Sequence, residues 1–365
     1  MNQFDWIHYV PILRWKRAEQ IALAKLAADT SAHITPLIEL VAENFKIQRK
    51  KEPSSEEVAC KISHQLFKFW GERPFFIDLH HLSQSILTEG PGHFLVLLSN
   101  YASIALVSLI PVTGINRNPS YQSAVLNVIK KHNQGVCFRL SREDIDRQTL
   151  AQDLKSTLSF FEIEPEEVDL LIDFQVIEQS VPTFSALCAQ IPDIHKWRNF
   201  LVASGAFPED LRHLERNRQH AINRLDWILW RDQAIPKLSC TRLPTYSDYT
   251  IQYPQYLARA GPLNYSASIR YTADKYWVIM RGESVSNEEG PGAAQWPAHA
   301  QLLCERPEYC GDAFSYGDKY IKEMVSQYDN PGSPTTWLTA GINHHMTFVV
   351  RQLATLAGTS AVALP

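Results

Sequence analysis

Residues 73–82 read RPFFIDLHHL, an apolar burst that stops on an acid and two histidines. Phe75, Phe76 and Ile77 show no polar alternation, which predicts a strand buried on both faces. A buried carboxylate such as Asp78 is unfavourable unless it is paired, hydrogen-bonded or bound to metal. The burst belongs to a series: YVPIL (9–13), ITPLIEL (34–40), FFIDL (75–79), LIPVTGI (109–115), GVCFRL (135–140), VDLLIDF (168–174), RNFLVASGAF (198–207) and YTIQYP (249–254). Segments of helical period lie between them, at 17–27, 56–70, 121–132, 146–161 and 184–191. The third of these follows Asn118-Pro119-Ser120, a capping sequence.

Doubly buried strands alternating with amphipathic helices specify a parallel sheet covered by helices. Eight strand signals match the TIM-like (β/α)8 barrel, which typically occupies about 250 residues. The competing doubly wound open sheet usually has fewer strands, and no GxGxxG or GxxxxGK[ST] follows any of these runs. The fold expected is therefore α/β, with a (β/α) barrel over residues 1–260. Beyond it the chain changes character. SIRYT and YWVIMRG read as two strands joined around Ala273-Asp274-Lys275, SNEEGPGAAQWP as a loop, and three later segments as helices. Residues 261–365 are thus expected to form a C-terminal α/β extension packed on the barrel.

Composition narrows the function. The 365 residues are 45% hydrophobic and 20% charged, with a formal net charge of −4, which argues against a generally basic coat for nucleic acid. A local basic cleft is still compatible with that charge. The opening MNQFDWIHYVPILRW carries Asp5 early and has no long apolar region, so no secretory or transit leader is expected. The apolar stretch ASIALVSLIPV is broken by Pro111 and too short to span a bilayer, so no membrane partner is expected and the location expected is cytoplasmic. Cysteines 60, 137, 188, 240, 304 and 310 include no CxxC pair and indicate neither a disulfide framework nor a zinc motif.

Polar residues gather where the apolar runs stop: Arg14 and Lys16, Glu39, Asp78 with His80 and His81, Arg139, Asp173 and Gln252. In a (β/α) barrel the C-terminal strand ends meet at one face, where catalytic residues lie. Glu39, Asp78 and Asp173 could there share a hard divalent cation, magnesium or manganese. Arg14 and Arg139 suit phosphate oxygens, and His80, Asp78 and Lys16 suit proton transfer and charge stabilisation. A metal, cations and a histidine together describe phosphoester hydrolysis. The same acids could instead simply neutralise the same bases. On a continuing strand His80 and His81 would point to opposite sides, so only one of them is expected in the site.

The later segment adds Arg270, Tyr271, Trp277 and Arg281, a basic-aromatic strand pair able to stack on a base or to pack on the barrel. His344 shares a helical face with Phe348 and Arg351, and is either a ligand-binding residue or a packed one beside a capping Asn343. A glycoside hydrolase would use two of the carboxylates at about 5–10 Å separation. Trp15 and Trp227 are the aromatic residues that favour it.

In order along residues 8–356, YVPILRWKRAE, ITPLIEL, RPFFIDL, IPVTGINRNPSYQ, VCFRLSREDI, VDLLIDF, SIRYTADKYWVIMRG and PGSPTTWLTAGINHHMTFVVRQLA resemble the beta protein family of phages and bacteria. Its members are similar to cargo of phages, prophages and mobile defence islands, so the resemblance implies a part in phage–host conflict. It carries no catalytic residue over to this chain. The function expected is metal-dependent phosphoester hydrolysis on nucleic acid or nucleotides. The alternative is a non-catalytic module that senses a phage protein or nucleotide and acts through a partner protein of a defence system.

Overall fold

The computed structural model describes residues 3–45, 53–88, 92–177, 182–234, 242–257, 265–286 and 291–358. The apolar runs become strands β1 (Tyr9–Arg14), β2 (Leu37–Glu39), β3 (Phe75–Asp78), β4 (Leu109–Thr113), β5 (Val136–Ser141), β6 (Val168–Val176) and β7 (Asn199–Gly205). Strand β8 (Arg218–Asn223) lies outside this series, and β9 (Thr245–Asp248) completes it. Strands β1 to β7 and β9 pair in parallel in one closed barrel, β9 joining β7 to β1.

The eighth barrel strand differs from the expected run at 249–254. Residues Thr245–Asp248 pair with both neighbours, and the chain turns away from the barrel after Asp248. The four-residue strand TYSD carries hydroxyls and an acid yet is wholly buried. Each polar group has a local partner, such as Ser247 Oγ donating to the Val10 carbonyl at 2.6 Å, so burial needs no apolar pattern.

Barrel-side residues follow the period of two. Val10, Ile12, Leu37, Phe76, Ile110, Val112, Cys137, Leu171, Leu201 and Ala203 fill the interior. Two positions later on five of these strands stand Arg14, Glu39, Asp78, Arg139 and Asp173, which cap that apolar plug at the C-terminal mouth. The outer face packs on helices such as Ser55–Trp70, started by a capping box from Ser54 and Glu57 and burying Val58, Ile62, Leu66 and Phe69. Trp15 and Trp227 are buried in this outer core, so neither presents a ring to a sugar.

Strands β10 (Ile269–Thr272) and β11 (Tyr276–Arg281) form the expected hairpin, and β8 adds to it as a third antiparallel strand. The last helix, Pro334–Leu356, packs against both the helix Arg17–Ala24 and β10, and it sends Ile342, Met346, Val349 and Leu353 into the main core. Each side of a division at residue 260 therefore contributes an element to the other, while position 260 itself lies outside the described residues. Asn343 sits inside this helix and Ser333 is its cap; the Asn343 side chain instead accepts from the Gly317 amide and donates to the Ala22 carbonyl.

Gly317 sits where the helix Tyr316–Met324 meets the last helix, and a Cβ there would lie 2.1 Å from the Ala340 carbonyl oxygen. Backbone atoms cannot rotate out of such a contact. Gly317→Ala is expected to lower stability by about 1–3 kcal/mol in urea unfolding. A variant as stable as the parent would mean that the two helices part freely.

No helix among the described residues is long and apolar enough to cross a membrane.

Candidate active site at the barrel mouth

Arg139 is the centre of the mouth. Its Nη1 donates to Glu39 Oε1 and to Asp78 Oδ2, each at 2.9 Å. Its Nε and Nη2 both reach Asp173 Oδ2, at 2.9 and 2.7 Å, and Nη2 also reaches the Tyr249 hydroxyl at 2.8 Å. One guanidinium thus joins acids from β2, β3 and β6. Parallel register explains the meeting, since Arg14, Glu39 and Asp78 are paired across adjacent strands and Ser141, two residues past Arg139, pairs with Asp173.

Asp78 answers to two demands at once. Its Oδ1 accepts from the His80 amide at 3.0 Å, which turns the chain out of the strand, while Oδ2 faces Arg139, Arg117 and His80. Asp173 and Asp248 repeat the device, accepting from the amides of Gln175 and Thr250. Because the strand ends at Asp78, the alternation that would separate His80 from His81 has already lapsed. Both histidines therefore enter the site, contrary to the expectation of one. Their ring centroids are 3.7 Å apart, with His80 Nε2 3.7 Å and His81 Nε2 3.1 Å from the Glu39 carboxylate.

Burial pushes the Glu39 carboxyl up, but Arg139 and the two histidines outweigh it and hold the group below the usual carboxylate range. Burial opposes ionisation of Asp78 as well, and Arg117, His80 and Arg139 pull it well below its ordinary value. His80 moves the other way from a paired histidine: desolvation lowers it despite Asp78.

The remaining candidates lie at graded distances from this centre. Arg14 approaches Glu39 at 3.9 Å and donates to the Tyr253 and Pro254 carbonyls. Lys16 is exposed at the rim, 3.2 Å from Glu43 and over the ring of Tyr256. Gln252 donates to Glu19 at 2.7 Å. Arg270 touches the rim only through the Ile251 carbonyl. Arg281 is buried on the Leu211 and Gly282 carbonyls, and Tyr271 and Trp277 are wholly buried, so neither of these two rings is open to a base. His344 is fully buried against Asp318 and the Thr272 carbonyl, away from the mouth network.

Sequence reasoning missed Arg117, Tyr249 and Tyr256, which come from loops without periodicity. A cationic residue shortly after the fourth apolar run was the available signal for Arg117.

Oxygen ligands alone fit a cation poorly here. Glu39, Asp78 and Asp173 all bond Arg139, whose guanidinium fills the space between them. The arrangement among the described residues that does fit a metal at the mouth is Glu39 with His80 and His81, whose ligand atoms lie within 4.8 Å of one another. Two imidazoles and a carboxylate suit a transition ion better than magnesium. Cavities of about 530 and 350 Å³ open elsewhere, both at the N-terminal ends of the strands, around His8 and Arg242 and around Ser108 and His132.

Among solved structures the chain is similar to the YdjI aldolase from Escherichia coli K12, at 9% identity and a TM-score of 0.37, covering 97% of this chain and 92% of that one. At that score the likeness says nothing of this chain's chemistry. No curated protein matches it. The family model described as Beta protein matches residues 9–351, and the chain belongs to that family.

Proposed function

We propose that the barrel mouth is a metal-dependent phosphoester hydrolase site acting on nucleic acid or nucleotides, in the phage–host conflict that the family resemblance implies. The observation that carries the reading is the convergence of Glu39, His80 and His81 beside Arg14, Lys16 and Arg117. Manganese is favoured over magnesium because two of the three donors are imidazoles. When bound, such an ion supplies a Lewis acid and lowers the pKa of a water ligand. Asp78 orients His80 by facing its Nδ1 at 3.1 Å, an arrangement common behind metal-bound histidines. Arg117 and Lys16, though paired with Asp78 and Glu43, keep solvent exposure of 21% and 41% from which to meet phosphate oxygens.

One observation favours a second reading, a non-catalytic sensor working through a protein partner. Arg139 already satisfies the acids of β2, β3 and β6, as a purely structural network would.

The test is a calorimetric titration with manganese, paired with turnover assays on DNA, RNA and free nucleotides. His81→Ala removes a partly exposed ring whose polar partner among the described residues is Glu39, so the fold should persist. The expected result is metal-dependent cleavage and a manganese heat in the parent, both lost in His81→Ala. A parent without turnover, or identical heats in the two proteins, would sink the hydrolase and leave the sensor.

A further inference from the structure

A second group of ligand-type side chains lies away from the mouth, where the second sheet meets the last helix. Cys310 Sγ, a carboxylate oxygen of Asp318 and a ring nitrogen of His344 all fall within 4.8 Å of one another. Asp318 and His344 are fully buried, and Cys310 is half-buried.

The hydrogen bonds around His344 leave an unusual requirement. Its Nε2 lies 2.8 Å from the Thr272 carbonyl, which can only accept, so Nε2 carries a proton. Its Nδ1 lies 2.9 Å from Asp318 Oδ2. That carboxylate is already an acceptor twice over, from Tyr271 through Oδ1 at 2.7 Å and from Ser315 through Oδ2. Both ring nitrogens thus face acceptors, and a cation must stand between Nδ1 and Asp318. It is either a proton shared by the ring and the carboxyl or a metal ion.

We propose that Cys310, Asp318 and His344 form a zinc-class metal site, distinct from the barrel mouth. A thiolate, an imidazole and a carboxylate are the donors zinc prefers, and three protein ligands leave a fourth position for water from the half-buried Cys310 side. Tetrahedral bonds of about 2.0–2.2 Å to N and O set such ligand atoms roughly 3.3 Å apart. Nδ1 and Oδ2 therefore need to part by only a few tenths of an ångström. The surroundings already have the form of an outer shell. The Nε2–H bond to a carbonyl fixes the tautomer, and Tyr271 stacks on the imidazole at 3.8 Å between centroids.

Charge balances as well. Binding exchanges one dication for two protons, one from between His344 Nδ1 and Asp318 and one from the Cys310 thiol, so the net charge of the buried group does not change. In the metal-free protein the thiol keeps its proton, since burial pushes it up to about 12.

The site does not depend on the hydrolase reading, and the experiment separates the two. Cobalt(II) is titrated into the full chain while the thiolate-to-cobalt charge-transfer band is followed. Zinc calorimetry in buffers of different ionisation enthalpy then counts the protons released. The parent should show one thiolate-bound cobalt, release of about two protons per zinc and a zinc-dependent rise in melting temperature. Cys310→Ala, which leaves the His344–Asp318 pair intact and should fold, should lose the band and the rise. His81→Ala should keep both. No band in the parent, a band that survives Cys310→Ala, or zinc binding without proton release would each overturn the proposal.

Discussion

Arg139→Met is expected to destabilise the protein by about 3–5 kcal/mol, the range found when one partner of a buried ion pair is removed. Methionine approximates the length of the aliphatic stem, so the loss comes from charge and hydrogen bonding rather than from a cavity. The Arg139 side chain is 7% exposed and donates to Glu39, Asp78 and Asp173, which are nearly inaccessible themselves. Arg14 and Arg117 remain nearby in the variant, but Asp173 keeps only the Tyr249 hydroxyl on Oδ2. The penalty should also carry a pH signature. Glu39 and Asp78 are held below their ordinary values in the folded parent, so their contribution is present above about pH 4 and fades as pH falls through the folded values. Without Arg139 the Glu39 carboxyl loses the largest charge that opposes its burial and rises, while Asp78 keeps Arg117 and His80, so the variant gains stability relative to the parent chiefly as Glu39 takes up a proton. Urea unfolding should therefore give a large difference at neutral pH and a smaller one near pH 4.5. A loss below about 1 kcal/mol, or one that widens on acidification, would mean that the network contributes specificity and little stability.

The acids and bases of this network were legible in sequence because two conditions coincided. Strands β1, β2, β3, β5 and β6 are buried on both faces, so each announces itself as an apolar run. The first polar residue on the inward face then follows at a spacing of two, as in Leu37 to Glu39, Phe76 to Asp78 and Leu171 to Asp173. Where the run ends, that rule ends. His81 follows a turn that Asp78 itself makes, and Arg117 and Tyr249 arrive from connecting segments whose path depends on tertiary packing. The eighth strand was displaced by four residues for a related reason. Its neighbour YTIQYP is the more apolar string, yet Ile251 and its surroundings are buried by the last helix and the second sheet: Ile251 would meet a Cβ at Gly341 at 2.6 Å, and its carbonyl accepts from Arg270. Apolarity reported burial faithfully there but not strand structure. Cys310, Asp318 and His344 are separated by 8 and 26 positions and belong to no shared period, so only the fold brings them together.

Asp248→Ala is expected to have an effect as large as the loss of Arg139, about 3–5 kcal/mol, although Asp248 faces away from the mouth. Its two oxygens accept from the hydroxyls of Tyr9 and Tyr246, the Thr250 amide and His345 Nε2. Those donors come from the first barrel strand, the eighth barrel strand, the turn beyond it and the last helix. His345 extends the chain of bonds through Nδ1 to Thr272 of the second sheet, at 2.8 Å. Alanine would leave every one of these buried groups without its acceptor, and each unsatisfied group costs about 1–3 kcal/mol before relaxation. His345→Leu should cost less, because Asp248 keeps three of its donors. The double variant then discriminates. If the bond between the two residues is what ties the last helix to the barrel, Asp248→Ala has already removed it, and adding His345→Leu should cost much less than it does alone. Urea unfolding of the parent, both single variants and the double variant supplies the cycle. Strictly additive costs, or an Asp248→Ala loss below about 1 kcal/mol, would contradict that linkage. Manganese binding at Glu39, His80 and His81 should survive in every variant that remains folded, since Asp248 points outward from the eighth strand to the last helix and touches none of the mouth residues.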